Sequence, residues 1–345
     1  MKTNLKELDL PALEQFVTGL GEKKYRAKQV FQWMYRGAVS FDQMTDLPLP
    51  LRERLRETAT LGVCTVARRQ QSKRDGTRKY LFAFADGVAV ESVLMRYKFG
   101  NALCVSSQAG CRRGCFFCVS GMDGFVRNLT AGEMAEQILA AERETGERIG
   151  QVTVMGTGEP FDNYEALARF IRLINSPEGL GIGMRHITVS TCGVAPMIGR
   201  FAEDFPQANL AVSLHASNDA ARNAWMPVGR TYPLDVLLSA CKAYTEKTSR
   251  RITFEYALIR GKNDDAQAAD ALAGLLGGML CHVNLIPLNP AAAPGLSPTS
   301  GGGAAAFQAH LERRGIGVTI RRTLGTDIDA ACGQLRRAVA PQRFN

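Results

Sequence analysis

Three cysteines stand at C-x3-C-x2-C spacing in Cys111-Arg112-Arg113-Gly114-Cys115-Phe116-Phe117-Cys118, and a fourth, Cys104, lies seven residues upstream. Three thiolates this close can each ligate one iron of a cubane cluster and leave the fourth iron open to a ligand. A purely structural cluster uses four cysteines. A closed structural zinc site also takes four ligands, commonly as two C-x2-C pairs. The x3-then-x2 loop, with one coordination position to spare, suits chemistry better than bracing. The alternative is three unrelated interior thiols.

Other reactive side chains close short apolar runs. Gly156-Thr157-Gly158-Glu159-Pro160 follows Gln151–Met155. Its glycines let the backbone approach a ligand, and its carboxylate and carbonyl edge can hold an ammonium group. Ser190-Thr191-Cys192-Gly193 and Ser213-Leu214-His215 end the next two runs. Hydroxyls and an imidazole there suit a ribose or a carboxylate, or else cap the following helix. Asn289, closing Asn284-Leu285-Ile286-Pro287-Leu288-Asn289, suits an adenine or ribose edge. Cys332 sits in a Gly- and Asp-rich stretch, accessible enough for a nucleophile, although nothing in the sequence lowers its pKa. Glu91 is the one carboxylate of the apolar run Val88–Met95, and by pattern it faces outward from a strand.

These groups need a scaffold. From residue 101 onward Ala102–Ser106, Gln151–Met155, His186–Ser190, Asn209–Leu214, Arg251–Ile259, His282–Leu288 and Gly317–Arg322 read as strands. Helices fall between them near 130–144, 162–175, 195–204, 234–247, 265–278 and 303–314, the first opened by a Thr130/Glu133 capping box. Repeated βα units predict an α/β fold with a parallel sheet, open or curled toward a barrel, whose reacting groups gather at the C-terminal strand ends. The loop 290–303, rich in Pro, Gly, Ala and Ser, is of the kind that covers an active site. Ahead of the barrel, Thr77–Phe84 and Val88–Met95 read as a hairpin around Asp86-Gly87, and residues 5–20, 25–36 and 46–60 as three helices with basic outer faces. The resulting division is 1–62 (helical, basic, accessory), 63–97 (hairpin linker), 98–335 (barrel core) and 336–345 (tail).

Bulk properties narrow the class. With 345 residues, 46% hydrophobic and 22% charged, the composition is that of a globular protein. No apolar run is long enough to span a bilayer, and Met1–Leu5 leads into an amphipathic segment rather than a signal core, so no membrane association and a cytoplasmic location are expected. Nine mostly scattered cysteines fit a reducing compartment. Residues 1–80 hold 16 Lys and Arg against 9 Asp and Glu, so they carry seven of the nine excess positive charges. That asymmetry suggests a polyanionic partner, nucleic acid ahead of a membrane surface.

Taken together, the chain resembles the RlmN/Cfr family of radical S-adenosylmethionine (SAM) RNA methyltransferases, from Tyr25 to Leu335, and its wording is closer to the RlmN branch. The likeness is carried by Tyr25–Tyr35, Cys104–Phe125 with Arg127-Asn128-Leu129, Gly156–Pro160, Ser213-Leu214-His215 and Asp327–Leu335. It implies a radical-SAM partial (βα)6 barrel with an N-terminal helical accessory domain and a β-hairpin linker. It implies a [4Fe-4S] cluster on Cys111, Cys115 and Cys118, and SAM contacts from Gly158, Glu159, Ser190, Ser213, Leu214, His215 and Asn289.

The same resemblance implies a reaction. One SAM methylates Cys332; a second is cleaved to a 5′-deoxyadenosyl radical, which takes a hydrogen from the S-methyl group. The resulting carbon radical adds to C2 of an adenine in 23S rRNA or tRNA. Cys104 matches the family's resolving cysteine, which forms a transient disulfide with Cys332. Glu91 matches its proton acceptor, which displaces the outward-facing reading. An electron donor such as flavodoxin or ferredoxin is implied, and a monomer is expected. Val119-Ser120 after Cys118 and Thr157 between the glycines depart from the common wording. The competing readings are a Cfr-like C8 methyltransferase, a non-catalytic RNA-binding protein with a cluster or zinc, and a radical-SAM enzyme on a small molecule.

Overall fold

The structure is a computed structural model describing residues 2–122, 124–288 and 295–328. Asn289, Cys332 and the segment 336–345 lie outside the described residues. A ten-stranded sheet runs through the molecule. Gly100–Cys104, Ile149–Val154, Ile187–Thr191, Asn209–Ser213, Ile252–Leu258, Cys281–Pro287 and Gly317–Ile320 pair side by side in that order, all parallel. Ala131–Thr145, Tyr164–Asn175, Ala195–Asp204, Leu234–Thr248, Ala266–Leu276 and Gly301–Arg313 make the crossovers, giving six βα units and a closing strand. A short helix, Asp219–Trp225, stands before Leu234–Thr248, in a stretch to which the sequence pattern assigns no element.

The region read as a two-stranded hairpin is larger. Thr65–Gln71, Arg78–Ala83 and Ala89–Tyr97 form three antiparallel strands that continue the same sheet through Gly100–Cys104. Thr65–Gln71 has no apolar alternation because it is the outer edge, where the exposed Arg68, Arg69 and Gln71 cost nothing in burial and block further pairing.

Residues opposite one another across a ladder share a face. Leu94, Leu103, Val152 and Ile187 form one such row, fully buried on the helix side. Lys79, Val93, Cys104, Thr153 and Thr188 form the row on the other side, followed on that face by Ser190, Ser213, Glu255, Asn284 and Thr319. The sheet therefore turns an apolar face to its helices and a polar face inward.

The N-terminal helices Leu10–Gly19, Tyr25–Tyr35 and Leu49–Thr58 bury Leu13, Val17, Val30, Phe31, Met34, Leu51 and Leu55 in a core continuous with that of the sheet. Part of their basic exterior is already paired, as Lys24–Glu14, Arg54–Glu22 and Arg56–Asp42. They dock through a charge. Lys6 and Glu136, both fully buried, form an ion pair, and Glu136 also accepts from Arg143 and from the Cys64 N–H at 3.2 Å. Gly132 permits the approach, since a Cβ there would stand 2.5 Å from Glu7 Oε1. Glu136→Ala, which strands the Lys6 ammonium, should cost about 3–5 kcal/mol in urea unfolding. The apolar swap Lys6→Met/Glu136→Leu should recover part of that loss, short of wild type because Arg143 and the Cys64 N–H lose their acceptor. A single-variant cost below about 1 kcal/mol would show that the ammonium escapes to water. Among the described residues no helix is long and apolar enough to cross a membrane.

Candidate active site

The strand Gly100–Cys104 delivers Cys104, buried, to the start of the cysteine loop, where Cys111, Cys115 and Cys118 are half-buried. Three supports hold that loop. Arg113 makes a bidentate ion pair with Asp162. The Phe116 N–H donates to the Trp225 carbonyl at 2.8 Å, and the Phe117 ring stands edge-on to His215 with centroids 4.8 Å apart. Burial and then the neighbouring thiols push Cys115 up to about 12, and burial, with Cys118 adding to it, pushes Cys111 up to about 11. Sulfurs that oppose one another's ionisation become stable thiolates only around a cationic group, which the irons of a cluster supply. Among the described residues no three Cys, His, Asp or Glu converge on a single ion.

The Gly156–Pro160 turn is locked to this loop. Gly158 has φ +109°, and a Cβ there would lie 2.5 Å from the Gln108 Cβ. The Glu159 N–H donates to Gln108 Oε1 at 2.9 Å, and the Thr157 carbonyl accepts from the Ser107 and Gln108 N–H groups. Glu159 is buried; Oε1 accepts from the Phe161 N–H at 3.0 Å and Oε2 from the Cys192 N–H at 2.7 Å. Burial raises its pKa against the pull of those N–H groups. The Cys192 and Thr191 side chains also donate to this carboxylate, whose charge can still attract a cationic group such as an ammonium. Cys192 is brought to this carboxylate, and burial followed by Glu159 holds its thiol well above the usual range.

Ser190 and Ser213 lie on the polar face, and Leu214 is fully buried behind them with its N–H donating to the Glu255 carbonyl. His215 turns with φ +58°, and its Nδ1 accepts the Ala257 N–H at 2.9 Å, so Nε2 carries the proton. Burial, and then the Arg222 charge, lower its pKa to about 3. In the unfolded chain the imidazole binds its proton below about 6.5, so this residue's contribution to stability is full above that value and is lost as pH falls toward 3. Between pH 7.5 and 5 the loss should be about 2 kcal/mol in urea titrations and should be absent from His215→Gln. Parallel pH slopes for both proteins would refute it.

Several residues at the site escaped the sequence reading. Lys79, fully buried, pairs with Glu91 at 3.1 Å, and both stand on the polar face with Cys104. Glu91 therefore points inward, against the strand-pattern reading and in keeping with the resemblance. Arg222 is fully buried; its Nη2 donates to the Cys192 carbonyl at 2.8 Å and its Nη1 to the Tyr232 carbonyl at 3.3 Å. Asn284 donates to Glu255 Oε2 at 2.8 Å, bridging two strands. The available signal was a polar residue at every second position, Thr253 with Glu255 and His282 with Asn284.

A parallel sheet with a polar inner face, a three-cysteine loop after one strand and a Gly-Thr-Gly-Glu-Pro turn after the next define the radical SAM class, and residues 105–272 match the radical SAM superfamily. Residues 3–61 match the family described as ribosomal RNA large subunit methyltransferase N-terminal domain. The chain is 48% identical over 341 residues, 99% of each chain, to the probable dual-specificity RNA methyltransferase RlmN of Thermoanaerobacter sp. (strain X514). It is 50% identical over 341 residues to that of Pelotomaculum thermopropionicum, covering 98% of this chain and 93% of the relative. The crystal structure of a radical SAM methyltransferase from Sphaerobacter thermophilus matches with a TM-score of 0.92 at 47% identity, covering 96% of this chain and 98% of that one. The chain belongs to the RlmN family.

Proposed function

We propose that this protein methylates C2 of an adenosine in 23S rRNA and of an adenosine in tRNA, carrying the methyl group on Cys332. The description of its relatives as dual-specificity RNA methyltransferases supports RNA as substrate. The observation that carries the mechanism is the polar wall on which Cys104 and Glu91 stand together. Val93 faces Cys104 and Glu91 lies two residues along, so their Cβ atoms are roughly 7–8 Å apart. A thiol and a carboxylate side by side on one wall can face the same bound base.

Cys111, Cys115 and Cys118 would hold the cluster, and Gly158, Glu159, Ser190, Ser213, Leu214, His215 and Asn289 the SAM. When bound, these cofactors supply the methyl group and a 5′-deoxyadenosyl radical, needed because the electron-poor C2 resists a cationic methyl donor. Cys332 presents the carbon to the adenine as a thioether, and Glu91 accepts the proton lost from C2. Release follows when the Cys104 sulfur bonds to the Cys332 sulfur. The S–CH2 bond breaks, its electron pair passes to carbon, and the carbon takes a proton. Two electrons from donors of the flavodoxin or ferredoxin type, with two protons, return the disulfide to two thiols and complete the cycle. In this reading residues 1–62 contact RNA, 63–97 link, and 98–335 house the reaction.

Anaerobic incubation with labelled SAM, reductant and rRNA or tRNA fragments should give 2-methyladenosine. An 8-methyl product would overturn the regiochemistry, and intact SAM with bound RNA would point to a binding protein. Cys104→Ala should trap a covalent RNA–protein adduct; full turnover by that variant would sink the resolving role.

A further inference from the structure

The two ends of the sheet are joined by a polar clasp. The turn between Thr65–Gln71 and Arg78–Ala83 is closed by the Ser72 N–H donating to the Thr77 carbonyl at 2.8 Å. It grips the chain beyond the last strand at four points. Ser72 Oγ donates to Asp327 Oδ1 at 2.6 Å, the Lys73 N–H to Asp327 Oδ2 at 2.8 Å, Arg74 Nη1 to Thr326 Oγ1 at 2.9 Å, and the Gly325 N–H to Asp75 Oδ2 at 2.8 Å. Asp75 is itself oriented by the Thr77 N–H at 2.9 Å. Although its slight burial works the other way, the Gly325 and Thr77 bonds hold its carboxyl down to about 2. Bonds that lie at or near the surface, as these do, contribute little to global stability. Their consequence is positional.

We propose that the Ser72–Thr77 turn is a tether point for the methyl-carrying segment, setting where Cys332 can go. With Asp327 fixed, five residues lead to Cys332, a reach of at most roughly 18 Å. Without the clasp, the last fixed group among the described residues is the Arg321 N–H, which donates to the Leu285 carbonyl at 2.8 Å. Eleven residues and roughly 38 Å then separate Cys332 from its anchor. The clasp adjoins the reacting wall: Thr77 is two residues before Lys79, and Lys79, Val93 and Cys104 face one another across two strand spacings, about 10 Å. The effective concentration of a tethered group falls with about the −3/2 power of tether length, so lengthening from five residues to eleven lowers it about threefold. This inference rests on the reading of Cys332 as methyl carrier and Cys104 as its disulfide partner.

The test uses full-length, cluster-loaded protein under anaerobic glutathione redox buffers, with the Cys104–Cys332 disulfide quantified by mass spectrometry. The two thiols give two electrons and two protons to one glutathione disulfide and release two glutathiones, so the equilibrium reports the effective concentration of the pair. Asp75→Ala/Asp327→Ala should lower it about threefold or more, with a matching drop in methyl transfer to RNA and unchanged cluster absorbance and SAM affinity. Asp327→Asn keeps an acceptor and should recover most of the loss. If the double variant loses its cluster, Ser72→Ala reads the same equilibrium, again shifted downward. An equilibrium unmoved in these variants overturns the tether. A wild-type protein in which Cys332 neither forms this disulfide nor gains a methyl group overturns the carrier reading, and the tether falls with it.

Discussion

Cys332→Ala is expected to abolish RNA methylation while cluster absorbance and SAM affinity stay at wild-type levels. The proposed reaction carries the new carbon on this sulfur, so its removal takes away the bond that joins cofactor chemistry to RNA. Loss of a covalent carrier of this kind lowers turnover on the order of 10⁴-fold or more. The measurements are RNA nucleoside analysis after anaerobic incubation, ultraviolet–visible spectra of the reconstituted protein, and intact mass. Wild type should gain one methyl group on Cys332, and the variant none. Methylated RNA from the alanine variant above background would eliminate the carrier role. Loss of the cluster as well would move Cys332 into the metal site.

Glu91→Gln should slow methyl transfer to RNA by about 10²–10⁴-fold, the range for removal of a positioned general base. The amide keeps the size of the side chain and can still accept from Lys79, so the polar wall should stand. Methylation of Cys332 itself needs no base at C2 and should proceed normally. The check is a single-turnover comparison of the two steps, S-methylation by protein mass and RNA methylation by nucleoside yield. A fall below about tenfold in the RNA step, or an equal fall in both, would remove Glu91 from the proton transfer. Lys79→Met deletes the ammonium that fixes the carboxylate at 3.1 Å and keeps the stem, so it should impair the same step alone.

What was legible in the sequence was periodic or local. The Thr130/Glu133 capping box is present, with the Glu133 N–H donating to Thr130 Oγ1 at 3.1 Å and the Thr130 N–H to Glu133 Oε2 at 2.9 Å. The βα alternation was readable because parallel strands buried by helices repeat in short apolar runs. The cysteine loop was readable because its three cysteines lie within eight residues. Glu91 was misread by pattern because alternation says only that two faces differ. In Ala89–Tyr97 one face meets helices and the other a polar interior, so a carboxylate need not point to solvent. Lys79 failed for the same reason. Arg222 lay in a helix of seven residues too short to carry a periodic signal. The clasp between Ser72 and Asp327 spans 255 residues, and no local pattern encodes such a pairing.

The buried Lys6–Glu136 pair also orders events on the ribosome. Its partners are 130 residues apart, and Thr130 lies 123 residues beyond the Glu7 carboxylate it donates to. At about 5–20 residues per second, the first helices wait roughly 6–26 s after emerging before Ala131–Thr145 exists to receive them. Through that interval Lys6 stays hydrated, and the small N-terminal bundle holds an unfinished surface. Until Glu136 arrives, burying the Lys6 ammonium in any apolar contact is costly, so the charge that later locks the docking opposes a premature one.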